Sequence, residues 1–464
     1  METAHPTIAR KVLTLALVVV CLGPLVQPAL AAAPTAAQTQ PLPAIVFRNV
    51  RIFDGKSSQL SAPSSVLVRG NGIERISSTA IPTDQGANTV LIDGGGRTLM
   101  PGLIDAHWHT MLIRGTPAEL ETNDVGYSNL LAAAEARDTL LRGFTTVRDV
   151  GGPSFGLKRA IDEGIVPGPR IWPSGAILTV TSGHGDFREF YQLPRIIGGP
   201  LSQMEIMGAS MVVDSPDEVR VRTREQLMLG ASQIKLTAGG GVASPHSPLD
   251  ASTFTEAELR AAVEAAGNWG TYVTVHAYTA AAIKGAIAAG VKCIEHGHLM
   301  DESSAKLMAE HGIWLSTQPF PDAAADVFPP GSFEREKALQ VIAGNNTVYT
   351  LAKKYKLKTA FGTDVLFSQA LAQQQGALLA SLVRWFTPAE TLIMATHTNA
   401  ELLALSGKRS PYRGKLGVVE EGALADLLLV DGDPLKDIKL VADPARNFLV
   451  IMKDGKIYKN TVPR

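Results

Sequence analysis

The sequence predicts an α/β fold, a (β/α)8 TIM barrel with a small β-sandwich built from both chain ends. Three observations predict it. Helix-patterned stretches repeatedly end at a glycine and give way at once to an apolar strand. Short strands with turn signals lie on both sides of that repeat, and ionisable residues recur at a fixed offset after the glycines, where barrel strands open onto the catalytic face.

The first stretch predicts a leader rather than structure. Arg10 and Lys11 precede an apolar run over 12–26, and Ala29 and Ala31 form a small-x-small site. This is the grammar of a secretory signal peptide, assigned to residues 1–32, so the mature chain is expected to be exported, periplasmic or secreted. As a stable membrane anchor the run is short and is broken by Pro24. Cys21 follows Val20, where a lipoprotein signal wants a small residue. Cys293 would then be the only cysteine of the mature chain, which leaves no internal disulfide. Residues 32–42, rich in Ala, Pro, Thr and Gln, read as a flexible leader.

Residues 44–98 read as the first part of the sandwich, its strands parted by Asp54-Gly55, Gly70-Asn71-Gly72 and Gly94-Gly95-Gly96. The style resumes over 406–464, with strands at 425–430, 447–452 and 456–458 and a turn at Asp454-Gly455. The barrel, 99–405, is then an insertion between the two parts. A chain of 464 residues suits one large core and a smaller one. Hydrophobic residues are 45% and charged residues 19%, with a formal net charge of -1, so no basic face offers itself to nucleic acid or an anionic membrane.

Within the barrel, Gly143, Gly230, Gly270, Gly290 and Gly312 each suit the left-handed position after a helix, and a strand follows each. Ser215–Glu218, Thr255–Glu258 and Thr387–Glu390 are capping boxes, the first and last with proline at the first helical position. Strands at 99–104, 170–178 and 358–361 complete eight units.

The chemistry gathers at the strand ends. His107 and His109, in Pro-Gly-Leu-Ile-Asp-Ala-His-Trp-His-Thr, share a strand face because side chains alternate, and neutral imidazole is the commonest zinc ligand. Two ligands do not close a site. Five or six residues after their glycines stand Lys235, His276 and His296, and Asp364 closes Phe-Gly-Thr-Asp. Singly, each has a plainer reading: a strand-end lysine snorkels or pairs, and a buried histidine is a polar core residue. Together they are six metal-competent groups at matching strand ends.

With Gln-Ile-Lys-Leu-Thr-Ala-Gly-Gly-Gly, Val-His-Ala-Tyr and Ile-Glu-His-Gly-His, this pattern resembles the amidohydrolase superfamily, in its binuclear branch with a carboxylated strand-four lysine. It looks most like the exported prolidase and carboxypeptidase-like members, which include ochratoxin-hydrolysing enzymes. The resemblance implies two divalent metal ions, zinc as the expected metal. His107, His109 and Asp364 would hold the more buried ion, His276 and His296 the more exposed one, and carboxylated Lys235 would bridge them. It implies a shared hydroxide that attacks the amide, with Asp364 moving the proton to the leaving nitrogen.

Other positions are secondary. Tyr278, two beyond His276, would point the same way and bind a substrate carboxylate or the oxyanion, or else sit on the rim. His184, in Thr-Ser-Gly-His-Gly-Asp, is a substrate contact or a solvated loop residue. His298 is weaker, His246 reads as solvated, and Asp149 as ion-paired with Arg148 or another neighbour. Gly239–Gly241 lack the lysine and hydroxyl residue of a phosphate loop and read as a tight bend. Two long connections, 181–214 and 318–333, should wall the pocket; their Phe187, Phe190, Tyr191, Met204, Met207, Phe320 and Phe328 suggest an apolar or aromatic substrate group, or else core and oligomer contacts.

The expected activity is cleavage of the amide of N-acyl amino acids or dipeptides, with ochratoxin A as a candidate, by a homo-oligomer acting on small molecules. A cyclic-amide hydrolase resembling imidazolonepropionase is the alternative enzyme, disfavoured by Lys235; a non-catalytic exported binding protein would lack a ligand.

Overall fold

The computed structural model describes residues 44–82 and 89–463, all within a compact unit over 42–464. The expected signal peptide and Cys21 lie outside the described residues. No described helix is long and apolar enough to cross a membrane.

The N-terminal side supplies β1 (Ala44–Ile52), β2 (Ser64–Arg69), β3 (Gly72–Ser77), β4 (Thr89–Asp93) and β5 (Thr98–Pro101). There follow β6 (Leu103–Trp108), β7 (Phe144–Asp149), β8 (Arg170–Pro173), β9 (Ile177–Thr179), β10 (Ser210–Val212), β11 (Ile234–Thr237), β12 (Val273–Thr279), β13 (Cys293–Leu299), β14 (Trp314–Thr317) and β15 (Lys358–Phe361). The chain ends on β16 (Leu427–Val430), β17 (Phe448–Lys453) and β18 (Lys456–Asn460).

Both ends do combine. Their strands form an eight-stranded sheet in the order β18-β17-β16-β5-β1-β2-β3, with β4 on β1. The sandwich expected from the sequence is here one hydrogen-bonded sheet: β1 pairs β2 and β4 along its first half and β5 at Arg51 and Ile52. Its register shifts between Phe47 and Val50, where Asn49 takes a φ of 50°. Phe47, Val66, Leu99, Leu429 and Val450 give the sheet a core of its own.

The expected first barrel strand, 99–104, is divided between two sheets. Leu99 pairs Leu429 in the small sheet, while the parallel strand of the middle begins at Leu103 and runs on to Trp108. Gly102 makes the transfer: its N–H donates to Asp426 O and the next N–H to Gly143 O, and a Cβ there would collide with Thr145.

The middle holds two parallel sheets, β6-β7-β8 and β10-β9-β11-β12-β13-β14-β15. They form a TIM-barrel-like arrangement. Its third unit is split: β8 pairs β7, then Gly175 at φ 77° turns the chain so that β9 pairs β11. Between β8 and the start of β11, Ser232 N donates to Pro173 O at 2.7 Å. Between first and last strands, Asn399 donates to Ile104 O and Phe361 O and accepts from Phe361 N. These strands are buried at every position although polar and charged residues interrupt their apolar ones, as in Phe144–Asp149, Ile234–Thr237 and Trp314–Thr317, and such buried groups need partners.

Gly143, Gly230, Gly270, Gly290 and Gly312 all have positive φ, from 61° to 107°, as helix-to-strand turns require. Thr255 and Thr387 head complete capping boxes. Ser215 caps Glu218 N, but the Glu218 carboxylate reaches Asp214 N instead, so that box is only half made. The 181–214 connection is partly structured, containing helix Gln203–Met207 and β10.

Candidate metal centre and substrate cavity

His107 sits in β6 and His109 just beyond it, Lys235 in β11, His276 in β12, His296 in β13, and Asp364 three residues past β15. All six line one cavity of about 450 Å³ at these strand ends. Five of the side chains are buried and Asp364 is partly exposed.

Hydrogen bonds fix the tautomers of four histidines. His107 Nδ1 lies 2.8 Å from Glu295 Oε2 and His109 Nδ1 3.1 Å from Gly151 O; both partners can only accept, so each Nδ1 carries the proton. Their Nε2 lone pairs then both face Asp364 Oδ1, each at 3.1 Å. His107 Nε2 is buried without a hydrogen-bond donor. Two lone pairs and a carboxylate oxygen at such range call for a cation or a proton between them. The three ligand atoms lie within 4.8 Å of one another, a half-site that fits a divalent ion.

The second pair is prepared differently. His276 Nε2 donates to Gly240 O at 2.9 Å, leaving Nδ1 free; His296 Nδ1 donates to Gln318 Oε1 at 2.7 Å, leaving Nε2 free. Their rings are 4.4 Å apart, and His296 lies 4.8 Å from His107. Burial holds both imidazoles well below their usual pKa, hence neutral and able to ligate. Burial lowers the Lys235 ammonium against the opposing pull of Glu295 and Asp364. A neutral amine is what carboxylation needs.

Backbone strain concentrates here. His296 and Asp364 both occupy the left-handed region, at φ 78° and 51°. The turn at His296 breaks strand alternation, so Glu295 and His296, adjacent in sequence, both reach the cluster.

The neighbouring cavity, about 780 Å³, shares Asp364 and His184 with the first and is walled by Tyr278, Phe320, Phe328, Val341 and Leu378. Tyr278 is buried, its ring 4.6 Å from His276 and 5.0 Å from His296, so it faces the site rather than the rim. The His184 ring lies 4.3 Å from that of His276, tilted by 40°; burial brings its pKa to about 3. Among the apolar loop side chains, Phe187, Phe320 and Phe328 line the two cavities, whereas Phe190 and Tyr191 are 91% and 81% exposed and Met204 and Met207 are buried core. His246 stands half-buried against Phe190.

Asp149 departs from its expected pairing. Alternation sends Arg148 to the opposite side, onto Glu295, while Asp149 accepts from Thr110 N and Oγ1 and Gly151 N. Burial raises it to about 6. Sequence reasoning passed over Glu295, Gln318 and Asp105, the last accepting from Thr363 and His107 N to hold β6 against the Asp364 turn. For Asp105 and Glu295, an ionisable residue inside a buried strand was the available signal; Gln318, a neutral amide just past β14, offered none.

A TIM-barrel-like fold with imidazole, carboxylate and amine groups converging at the strand ends defines a hydrolase-type site. The chain belongs to the amidohydrolase family, whose model matches residues 98–458. It is an amide-hydrolysing enzyme of that family. It is 31% identical to ochratoxinase of Aspergillus niger over 385 residues, covering 78% of this chain and 75% of that protein. A prolidase solved with N-methylphosphonate-L-proline superposes with a TM-score of 0.83 at 33% identity, over 90% of this chain and 100% of the other. A Xaa-Pro dipeptidase with methionine in its active site gives 0.76 at 30% identity, over 90% and 100%.

Proposed function

We propose that this enzyme is an exported binuclear metallohydrolase cleaving the amide of N-acyl amino acids or dipeptides. The observation that carries the reading is the convergence of His107 Nε2 and His109 Nε2 on Asp364 Oδ1, in one cavity with His276, His296 and Lys235. His107, His109 and Asp364 would hold one ion, His276 and His296 the other, with carboxylated Lys235 between them. Bound there, two divalent ions, zinc for this mixed imidazole and carboxylate set, would supply hydroxide at neutral pH and polarise the scissile carbonyl. Asp364 would accept the proton that the attacking oxygen gives up as it bonds to the carbonyl carbon and return it to the nitrogen, so that the C–N bond breaks with a neutral amine leaving. Tyr278 donates its hydroxyl to the oxyanion or the substrate carboxylate; burial keeps that phenol protonated, its pKa well above the usual value.

The apolar chamber beside the site supports an acyl or side-chain group of aromatic or aliphatic character, and the named activities of the relatives put ochratoxin A and Xaa-Pro dipeptides among the substrates to try. Residues 1–32 support export. Exposed Phe190, Tyr191, Ile196, Ile197 and Ile206 support self-association, to be read by light scattering.

The test is metal analysis followed by a substrate screen. About two divalent ions per chain, and turnover of N-acyl amino acids or dipeptides that is lost on chelation and restored by metal, are expected. Undiminished turnover after exhaustive chelation would refute the reading.

A further inference from the structure

Lys337 stands apart from the cluster yet is tied to it. The residue lies on helix Phe333–Ala343 and is 1% exposed. Its Nζ donates to three backbone carbonyls of one turn: Gly241 at 2.8 Å, Ser244 at 2.7 Å and Ser247 at 3.0 Å. All three ammonium hydrogens are used, which is the condition under which a buried cation is tolerable. Carbonyl dipoles aimed at one point repel one another unless a cation occupies it, so the turn takes this shape because Lys337 is there.

The other side of the turn faces the site. Gly240 O accepts the Nε2 proton of His276, which is what leaves Nδ1 free. Ser244 Oγ lies 3.0 Å from His184 Nδ1 and accepts from Gly185 N. Val242 and Ala243 wall the larger cavity, and a Cβ on Gly241 would strike the His184 ring. Ala338, Val341 and Ile342 of the lysine's own helix wall it too.

We propose that Lys337 is a positioning residue: by gripping the 241–247 turn from behind, it sets the tautomer of His276 and the orientation of His184, and spaces the wall formed by Val242 and Ala243. Its catalytic importance rests on His276 being a metal ligand, as proposed above. The lysine touches neither metal ligand nor substrate cavity directly; it acts through the carbonyl of Gly240 and the hydroxyl of Ser244.

The test compares wild type with Lys337→Met and Lys337→Gln, each checked for cooperative melting, by side-chain nitrogen NMR of the histidines in metal-free protein. That readout is independent of metal and substrate. Wild type should show His276 protonated at Nε2; the variants should show mixed tautomers at His276 and altered His184 shifts. On loading with Co2+, one of the two sites should weaken about 10- to 100-fold and the absorption bands should move, as when an outer partner of a metal-binding histidine is lost. A folded variant with wild-type histidine shifts would overturn the proposal. Wild-type protein that takes up no Co2+ would instead count against the metal reading, with the NMR comparison still deciding the clamp. If both variants fail to fold, Ser244→Ala decides: the His184 shifts should change, and unchanged shifts would overturn it.

Discussion

Glu295 and His107 are joined by a hydrogen bond of 2.8 Å at a depth where neither touches solvent. Burial by itself would push the Glu295 carboxyl up, but Arg148, and then His107, outweigh it and hold it well below the usual carboxylate range. The guanidinium makes two bonds to that carboxylate, at 2.7 and 2.9 Å, and Thr274 makes another. One ionised group thus fixes the ring of a proposed ligand while neutralising a buried arginine.

Glu295→Gln should therefore be costly twice over. It leaves Arg148 buried without its counter-charge, an effect of about 3–5 kcal/mol. It also weakens the hold on the His107 tautomer, which should lower metal affinity about 10- to 100-fold. Urea denaturation and metal titration check the two parts separately, and a variant as stable as wild type would refute the first.

Lys235→Ala should abolish turnover, and metal analysis should find fewer ions per chain than in wild type. Near-normal turnover in that variant would contradict a bridging role.

Tyr278→Phe keeps the ring against His276 and removes only the hydroxyl. If the phenol stabilises the oxyanion, kcat should fall about 100- to 1,000-fold; if it holds the substrate carboxylate, KM should rise instead. Unchanged kinetics would leave the residue a packing role only.

His298 gives a pH dependence to the metal-free protein. It is buried, donates Nε2–H to Gln318 O, and burial lowers its pKa from 6.5 to about 4. The unfolded chain therefore takes up the proton first as pH falls. The contribution to stability is intact above pH 6.5 and is lost progressively toward pH 4. Urea midpoints should fall between pH 7 and pH 5, and by less in His298→Gln; an equal fall in both would assign the effect elsewhere.

Local rules made much of this legible. Gly143, Gly230, Gly270, Gly290 and Gly312 announce their left-handed turns because few other residues tolerate them, and each turn starts a strand whose end is then countable. That counting brought Lys235, His276 and His296 to one cavity. Alternation failed where the backbone left the pleat: the φ of 78° at His296 lets Glu295 serve His107, which no period-two reading reveals. Composition likewise could not sort Phe328, in the cavity wall, from Phe190, in solvent. Lys337 was invisible for a different reason, since its partners are carbonyls, which every residue carries.

The pairing of β5 with β16 joins Leu99 to Leu429, and β17 and β18 follow outward from there. During synthesis, β5 therefore leaves the ribosome with one hydrogen-bonding edge bare, and its mate arrives only after the entire catalytic portion has been made. Until then that edge is open to neighbouring nascent chains, and truncation ahead of β16 would leave it so permanently.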